Sequence, residues 1–389
     1  MAIDARESGQ ASGSVAQVVD ALEQARAATL ALVAPLDDEQ LQRVFSPIMS
    51  PLVWDLGHIA AYEDLWLVHR QVGLPLLRPD LAALYDAFET PRAVRGDLEL
   101  LAPAEARDYL DAVRARTVEG LTARGIGDGV VCEMVVRHEL QHGETMRQTL
   151  ALAGLLSDSD AAARERPMDR AAADAWIDVD AGAFELGAPP DGFAYDNERP
   201  RHRVETPAFA ISRLPVSNRE WTRFAADGGY EQRELWSADG WAWLHDQGRA
   251  PHPALAAHEP DAPVCHVSWF EADAFARAHG ARLPSEAEWE KAATVQGSGL
   301  AGVGRVWEWT ASVFDGYPGF VAHPYREYSE VFFARGYRVL RGASWATDAR
   351  VASVHFRNWD LPQRRQIFAG VRLARDTAPR GGGIARPTR

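Results

Sequence analysis

Apolar residues recur at helical spacing through the first 155 residues of the chain. The spacing predicts helices over about 15–33, 52–69, 101–123 and 130–155. The second of these is opened by Ser50-Pro51, because proline is tolerated in the first turn of a helix. Four amphipathic helices joined by short links are typical of a helix bundle, in which facing helices commonly build a metal site.

The pattern changes after the fourth predicted helix. Residues 156–173 are rich in charge and alanine, which predicts an interdomain linker. Beyond them, glycine, proline and tryptophan punctuate short segments as far as residue 376. Two of these segments predict strands, at 176–179 and 183–187, and two predict helices, at 218–227 and 269–279.

The sequence therefore predicts two domains. A four-helix bundle is expected at 15–155 and a mixed α+β domain at 174–376, with the linker between them. The flanking segments 1–14 and 377–389 have no apolar periodicity, so we expect them to be disordered. A site for small molecules is expected between the two domains, where ligand sites often form.

The composition of the chain argues against several classes of protein. The chain has 389 residues, 47% of them hydrophobic, which is enough for two cores. A net charge of -14 argues against a nucleic-acid partner, because phosphate contacts need a basic face. No apolar run is long enough for a membrane span. The two cysteines, Cys132 and Cys265, cannot form a disulfide framework, so a reducing cytoplasm is expected. The oligomeric state is left open.

The segment from Arg137 to Glu144 carries the strongest chemical signal. His138 and His142 lie four residues apart, so they share one helix face and can bind one metal ion. Glu144 lies about 200° round the helix from His142 and cannot join them from that face. His58, on another bundle helix, is the candidate for a third ligand. Three neutral imidazoles suit Zn, Fe, Cu or Ni, so the spacing alone does not choose the ion.

The same segment allows a second interpretation. His138-Glu139-Leu140-Gln141-His142 matches the H-E-x-x-H pattern of zinc hydrolases, in which Glu139 would be the general base. That hypothesis leaves the second domain unexplained. A non-catalytic binding module without metal is a third hypothesis. In any metal site the imidazoles need acceptors for their other ring nitrogens, and Asp55, Glu139 and Glu144 are nearby candidates.

Further polar residues stand near turns. Arg92 and Arg95 flank a loop set by Pro91 and could bind carboxylates through two hydrogen bonds each, although solvated surface charge explains them equally well. In the second domain, polar side chains lie close to glycine- and tryptophan-rich turns: Tyr325, Tyr328, Asn358 and Asp360. A tyrosine near a metal centre can supply a proton or a hydrogen bond to reduced oxygen.

Several motifs resemble known families. The second domain resembles the formylglycine-generating-enzyme (sulfatase-modifying factor) fold in four segments: Arg282–Glu290, Val306–Thr310, Leu340–Ser344 and Phe368–Arg372. The segments Ser50–His58 and His138–Glu144 resemble a DinB-like domain. The two domains in this order, from about residue 17 to 376, resemble the ergothioneine-pathway sulfoxide synthases.

The resemblance implies a DinB-like four-helix bundle followed by a C-type-lectin-like α+β domain, and a mononuclear non-haem Fe(II) enzyme that uses O2. Such an enzyme joins a sulfur or selenium donor to imidazole C2 of hercynine, the trimethylated betaine of histidine. The implied iron ligands are His58, His138 and His142. Tyr325 would act as an acid or hydrogen donor. Hercynine would be held by Gln141 and Asn358 with Tyr328 and Trp359, whose aromatic faces suit a quaternary ammonium, and the donor by Arg92, Arg95 and Asp360.

One departure qualifies the resemblance. Residues 292–305 form a short segment where these synthases carry a longer one, which resembles the selenoneine synthases that use a selenosugar. The segment Phe356–Asp360 and the Arg92/Arg95 pair instead resemble synthases that use γ-glutamylcysteine, so the donor, a thiol or a selenosugar, stays open. Formylglycine-generating activity is disfavoured, because that activity needs paired cysteines and this domain contains only Cys265.

Overall fold

The computed structural model describes residues 13–171, 175–247, 251, 259–294 and 299–377. The tails predicted to be disordered therefore lie outside the described residues, apart from positions 13, 14 and 377. In the described part of the chain, no helix has both the length and the apolar character needed to cross a bilayer.

The N-terminal half is helical. Its described α-helices are α1 (Val15–Val33), α2 (Asp38–Gln42), α3 (Leu52–Glu63), α4 (Pro103–Arg124), α5 (Val130–Ala153) and α6 (Asp158–Arg164). Helix α3 continues as a π-helix, Asp64–Gln71, so the predicted helix over 52–69 changes its winding halfway. Helices α1, α3, α4 and α5 form the predicted four-helix bundle, which is confirmed. The short α6 lies inside the segment predicted as a linker.

Close packing at one glycine positions the second bundle helix. A Cβ atom at Gly57 would lie 2.3 Å from ring atoms of Tyr85, so only glycine lets this ring lie against α3. Tyr85 is buried in the bundle core, together with Trp54 and Leu56 of α3 and Met146 of α5. The loop that carries Tyr85 is thereby fixed beside the middle of α3.

A buried cluster of four charged side chains connects the four bundle helices. Arg26 comes from α1, Glu63 from α3, Arg114 from α4 and Glu139 from α5, and each is less than a tenth exposed. Arg114 Nε donates to Glu63 at 2.8 Å, and Arg26 Nε donates to Glu139 at 2.8 Å. Arg26 also donates to Glu63, and Arg114 to Glu139, at 3.0 and 3.3 Å. We call these residues the buried ion quartet.

The second domain is mixed α+β, as predicted. Its described α-helices are α7 (Asn218–Ala226), α8 (Ala238–Asp246), α9 (Trp269–Ala278) and α10 (Glu286–Thr294). The predicted helices at 218–227 and 269–279 are confirmed as α7 and α9, whereas the sequence prediction missed α8 and α10. Helix α10 has no simple apolar stripe, because its glutamates are buried against arginines from distant segments. Glu290, for example, pairs with Arg341, and Glu286 with Arg357.

Nine described strands form three small sheets. The strands are β1 (Trp176–Val179), β2 (Gly182–Leu186), β3 (His202–Thr206), β4 (Phe209–Ser212), β5 (Trp307–Val313), β6 (Arg338–Arg341), β7 (Asn358–Asp360), β8 (Ala369–Gly370) and β9 (Ala374–Asp376). The sheet orders are β1-β4-β9, β2-β3 and β7-β6-β5-β8, and only the β5–β8 pair is parallel. Both strands expected at 176–179 and 183–187 are present.

A buried carboxylate joins the two halves of the molecule. Glu144 of α5 accepts hydrogen bonds from Trp307 Nε1 and Ser344 Oγ at 2.7 Å, and from Thr347 Oγ1 at 2.6 Å. All three donors belong to the second domain and none is charged. Burial raises the pKa of the Glu144 carboxyl, and the three hydrogen bonds oppose that rise. The helix that carries His138 and His142 is thus held directly against the second domain.

Candidate metal centre

Three histidines converge at the inner face of the bundle. His58 of α3 and His138 and His142 of α5 each place one ring nitrogen so that the three atoms lie within 4.8 Å of one another. The Nε2 atoms of His58 and His138 are 3.1 Å apart. Two imidazole nitrogens at right angles on one first-row metal ion, each bound at about 2.1 Å, would lie about 3.0 Å apart. The predicted third ligand therefore faces the predicted pair.

The outer ring nitrogens are held by oxygen acceptors. His58 Nδ1 lies 2.6 Å from the carbonyl oxygen of Tyr85, and His142 Nδ1 lies 3.0 Å from Asp55 Oδ1. Hydrogen bonds of this kind fix the imidazole tautomer and leave Nε2 free for a metal. The other carboxylate oxygen of Asp55 is buried and has no hydrogen-bond partner among the described residues. Its negative charge favours a cation at the centre.

The electrostatic environment keeps two of the candidate ligands, His58 and His138, neutral. Burial lowers the pKa of His58 and of His138 well below the ordinary histidine value, and the neighbouring His142 lowers both further. Neutral imidazole is the form that binds metal. The donor set, its geometry and its partners therefore fit a transition-metal ion bound by three histidines.

Asp55, Glu139 and Glu144 are the carboxylates expected to accept from the outer ring nitrogens of the histidines. Among them, only Asp55 lies beside such a nitrogen. Glu144 is directed into the second domain. Glu139 belongs to the buried ion quartet, and its carboxylate oxygens face Arg26 and Arg114. A general base needs to reach a metal-bound water or a substrate. Because both oxygens of Glu139 are paired with arginines, Glu139 is not available as the general base that the zinc-hydrolase hypothesis requires.

A pair of tyrosines lies beside His138. The ring of Tyr62 stacks face to face on the imidazole of His138, with ring centroids 3.6 Å apart and planes 8° apart. The Tyr62 hydroxyl lies 3.0 Å from that of Tyr325, which comes from the second domain. Burial raises the pKa of Tyr325 to about 12, so its hydroxyl keeps its proton near neutral pH. The predicted catalytic tyrosine is therefore one side chain away from a metal ligand.

An aromatic cluster surrounds Gln141. The Tyr195 hydroxyl donates to Gln141 Oε1 at 3.1 Å, and the Tyr195 ring stacks on Tyr328 with centroids 4.3 Å apart. Tyr328 in turn contacts Trp359 edge to face, at 5.7 Å. The structure thus brings together Gln141, Tyr328 and Trp359, three of the four residues expected to hold hercynine, whereas the amide oxygen of Asn358, the fourth, accepts from the N–H of Trp359 at 2.9 Å. The amide oxygen of Gln141 thus accepts from Tyr195, and its amide nitrogen donates to the hydroxyl of Tyr328.

Asp360 of β7 forms a charged group with Arg364 and Arg92. Asp360 Oδ2 is 3.3 Å from Arg364 Nε, and Arg364 is nearly buried. Arg92 as a whole residue is exposed, but its guanidinium lies deep enough for desolvation to lower its pKa. The charge of Arg364 lowers the pKa of Arg92 further, and those of Asp360 and Asp55 oppose this. Two guanidinium groups and one carboxylate are thus close enough to interact.

Arg95 occupies a different position from Arg92. It is buried, its guanidinium lies 3.4 Å from the ring centroid of Trp54, and it donates to the Thr90 carbonyl and to Ser50 Oγ at 2.8 and 2.7 Å. Three of its nitrogens already donate within the bundle, the third to the carbonyl of Ala87. The structure therefore gives Arg95 a part in holding the 87–95 loop against α3.

Sequence reasoning missed Tyr62, Tyr195 and Arg364. Two of them had a detectable signal. Tyr62 lies one helical turn after His58, and Arg364 lies four residues after Asp360. Tyr195 reaches Gln141 only through the three-dimensional fold, and nothing in the local sequence indicates that contact.

Family models match both halves of the chain. A model described as the DinB superfamily matches residues 21–146. A model described as the sulfatase-modifying factor enzyme 1-like domain matches residues 162–302 and 297–377. The two matches support the fold that the sequence motifs implied. The exact limits of the two domains and of the 156–173 linker stay predictions.

Three curated relatives define the similarity more closely. A hercynine oxygenase from Mycolicibacterium thermoresistibile is 41% identical, and the match covers 93% of this chain and 95% of the relative. A hercynine oxygenase from Mycobacterium tuberculosis is 42% identical, over 91% of this chain and 97% of the relative. A formylglycine-generating enzyme from Bos taurus is 31% identical, but over only 29% of this chain and 38% of that enzyme.

Proposed function

The chain belongs to the hercynine oxygenase family, and we propose that it is an Fe(II)- and O2-dependent oxidoreductase that joins a sulfur donor to imidazole C2 of hercynine. The observation that carries this proposal is the three-histidine centre at the junction with the second domain. There Tyr325 contacts Tyr62, one turn after His58, and Tyr328 lies next to Gln141 of α5. A zinc hydrolase requires no such junction.

Iron would be held by His58, His138 and His142. Three neutral protein ligands leave further coordination positions open, and bound Fe(II) would supply the activation of O2. The protein fixes the ligands through Tyr85 and Asp55, so the ring nitrogens converge before any ion binds. This preorganisation limits the conformational entropy that metal binding has to overcome.

Hercynine would lie among Gln141, Tyr328, Asn358 and Trp359. Its trimethylammonium group cannot donate hydrogen bonds and is attracted to aromatic faces, which Tyr328 and Trp359 provide at right angles to each other. Its carboxylate and ring nitrogen can accept hydrogen bonds, and the amide group of Asn358 and the second amide N–H of Gln141 can donate them. The imidazole C2 of hercynine would then face the histidine centre.

Tyr325 would donate a hydrogen bond or a proton to the reacting atoms. Because burial holds its pKa near 12, its hydroxyl is a hydrogen-bond donor under working conditions rather than a phenolate. A donor of this kind can stabilise negative charge that develops on oxygen or sulfur. Tyr325 comes from the second domain, so the site is complete only when both domains are in contact.

The charged group formed by Arg92, Asp360 and Arg364 favours one class of donor. An amino-acid thiol such as γ-glutamylcysteine carries carboxylates and an ammonium group, which these side chains match in sign. An uncharged selenosugar would bring no carboxylate to Arg92 and Arg364, which share that of Asp360. The charges therefore favour a thiol, although the short 292–305 segment resembles the selenosugar-using type.

Replacing Arg364 with methionine should raise KM for γ-glutamylcysteine about 10- to 100-fold, equivalent to about 1.4–2.8 kcal/mol of lost binding. KM for hercynine should change little, because the guanidinium of Arg364 faces Asp360, Ile48 and Met49, none of which is assigned to hercynine. Steady-state kinetics with each substrate varied in turn measure both values. Arg203, an exposed arginine in β3, gives the control variant Arg203→Met. An unchanged KM for the thiol in Arg364→Met would contradict this donor site.

The function itself is tested by product analysis. Protein loaded with Fe(II) should consume O2 only when hercynine and a donor are both present, with histidine as the control for the methyl groups. Mass spectrometry of reactions with γ-glutamylcysteine, cysteine and a selenosugar in parallel identifies the donor. If no donor gives hercynine-dependent turnover, the proposed function is wrong.

A further inference from the structure

We infer that Tyr62 is a positioning residue with two separable parts: its ring fixes the metal ligand His138, and its hydroxyl orients the hydroxyl of Tyr325 from the other domain. The inference rests on the proposed function for its catalytic consequence. Its consequence for metal binding does not depend on which reaction the centre performs.

The helix places three aromatic side chains on one line. His58, Tyr62 and Trp66 follow one another at intervals of four residues, so successive turns present them to the same face. His58 is a ligand, and Tyr62 stacks on the ligand from α5. Trp66 packs against Tyr325, with ring centroids 4.8 Å apart. These three side chains therefore connect the histidine centre to Tyr325, which belongs to the second domain.

The contact between Tyr62 and His138 controls the imidazole plane. His58 and His142 have oxygen acceptors at Nδ1, and these acceptors define the orientation of both rings. His138 instead has a parallel aromatic ring at 3.6 Å. Stacking restricts rotation about the side-chain torsions, so the Tyr62 ring does for His138 what a hydrogen bond does for the other two ligands.

The contact between Tyr62 and Tyr325 controls a hydroxyl. The two oxygen atoms are 3.0 Å apart. When Tyr62 donates to the oxygen of Tyr325, the hydrogen of Tyr325 must point elsewhere and is left for an acceptor at the reacting atoms. The same hydrogen bond stabilises the oxygen of Tyr325 while its proton is shared with the reacting atoms. The hydroxyl of Tyr62 thus acts through Tyr325 and not on the substrate.

Two substitutions separate the ring from the hydroxyl. Tyr62→Phe keeps the stacking and removes the hydrogen bond, so Fe(II) affinity in a chelator competition should stay within about twofold of wild type. Its kcat should fall about 10- to 100-fold with little change in KM for hercynine, because orientation of a proton donor affects the reacting state. Tyr62→Leu also removes the ring, and its Fe(II) affinity should fall about tenfold.

A double-mutant comparison tests whether Tyr62 acts through Tyr325. Tyr62→Phe combined with Tyr325→Phe should be no slower than Tyr325→Phe alone, and the two hydroxyls should show a coupling free energy in thermal unfolding. Tyr109→Phe, in a buried tyrosine of the same bundle, is the control variant. Additive losses in kcat, or unchanged metal affinity in Tyr62→Leu, would overturn the corresponding part of the inference. Wild-type protein without hercynine-dependent turnover would refute the proposed function instead, while metal affinity and coupling still decide the role of Tyr62.

Discussion

The His58→Ala variant is expected to lose more than about 100-fold in affinity for Fe(II), and with it all hercynine-dependent O2 consumption. Loss of an outer-sphere partner alone typically costs 10- to 100-fold, and removal of a ligand costs more. His58 supplies one of three nitrogens that converge within 4.8 Å, so the remaining pair cannot hold the ion in the same geometry. Metal analysis after dialysis and chelator competition measure the loss.

This variant also distinguishes the competing interpretations of the centre. A hydrolase based on His138, Glu139 and His142 has no use for a histidine on α3, whereas the three-histidine centre depends on it. His69→Ala is the matched control, because His69 lies in the π-helical continuation of α3, is exposed, and its ring is hydrogen-bonded to the Leu74 carbonyl and is not among the three converging histidines. Stoichiometric, tightly bound iron in His58→Ala would disprove the assignment of His58.

The three histidines that converge could be found from the sequence, because two of them share a helix face by their spacing. His138 and His142 share a face by their spacing alone, and His58 stood out as a histidine within an apolar helix. The bundle and the order of the two domains followed from the same periodicity and from the motifs. These features depend on local sequence, so a single chain is enough to find them.

The features that the sequence did not predict depend on contacts between residues far apart in the chain. Glu139 could be the base of a hydrolase or part of a buried ion cluster, and only its distances to Arg26 and Arg114 decide between them. Tyr195 reaches Gln141 across 54 positions of the chain. Helix α10 was missed for the same reason, because charged side chains hide an apolar stripe when their partners lie elsewhere in the chain.

Replacing Arg114 with methionine is expected to destabilise the bundle by about 3–5 kcal/mol, since removing one member of a buried ion cluster leaves charge uncompensated. In Arg114→Met, two buried carboxylates, Glu63 and Glu139, would share the single guanidinium of Arg26. The variant also loses the hydrogen bond from Arg114 to the carbonyl of Leu22 at 2.7 Å. Urea unfolding followed by circular dichroism measures the change in the helical transition.

A control variant and a second substitution test whether the destabilisation arises from the buried ion quartet. Arg107→Met removes a partly exposed arginine from the same helix and should change the free energy of unfolding by no more than about 0.5 kcal/mol. Adding Glu63→Gln to Arg114→Met removes the uncompensated carboxylate, so the double variant should be less destabilised than the sum of the two single changes. Strict additivity would show that the four side chains do not act as one cluster.

The pH dependence of the Arg114→Met effect identifies its electrostatic origin. Burial alone would raise the pKa of Glu63, but the hydrogen bond and charge of Arg114, with the charge of Arg26, hold it below its ordinary 4.5. A depressed carboxyl pKa contributes stability above 4.5 that is lost as pH falls through the folded-state value. Without Arg114 the pKa of Glu63 rises and the carboxyl protonates sooner. The deficit of Arg114→Met should therefore be full at pH 7, begin to shrink as pH falls through the raised pKa of Glu63 in the variant, and continue to shrink down to the depressed wild-type pKa below 4.5. A deficit that does not change with pH would mean that lost packing, rather than unpaired charge, accounts for the effect.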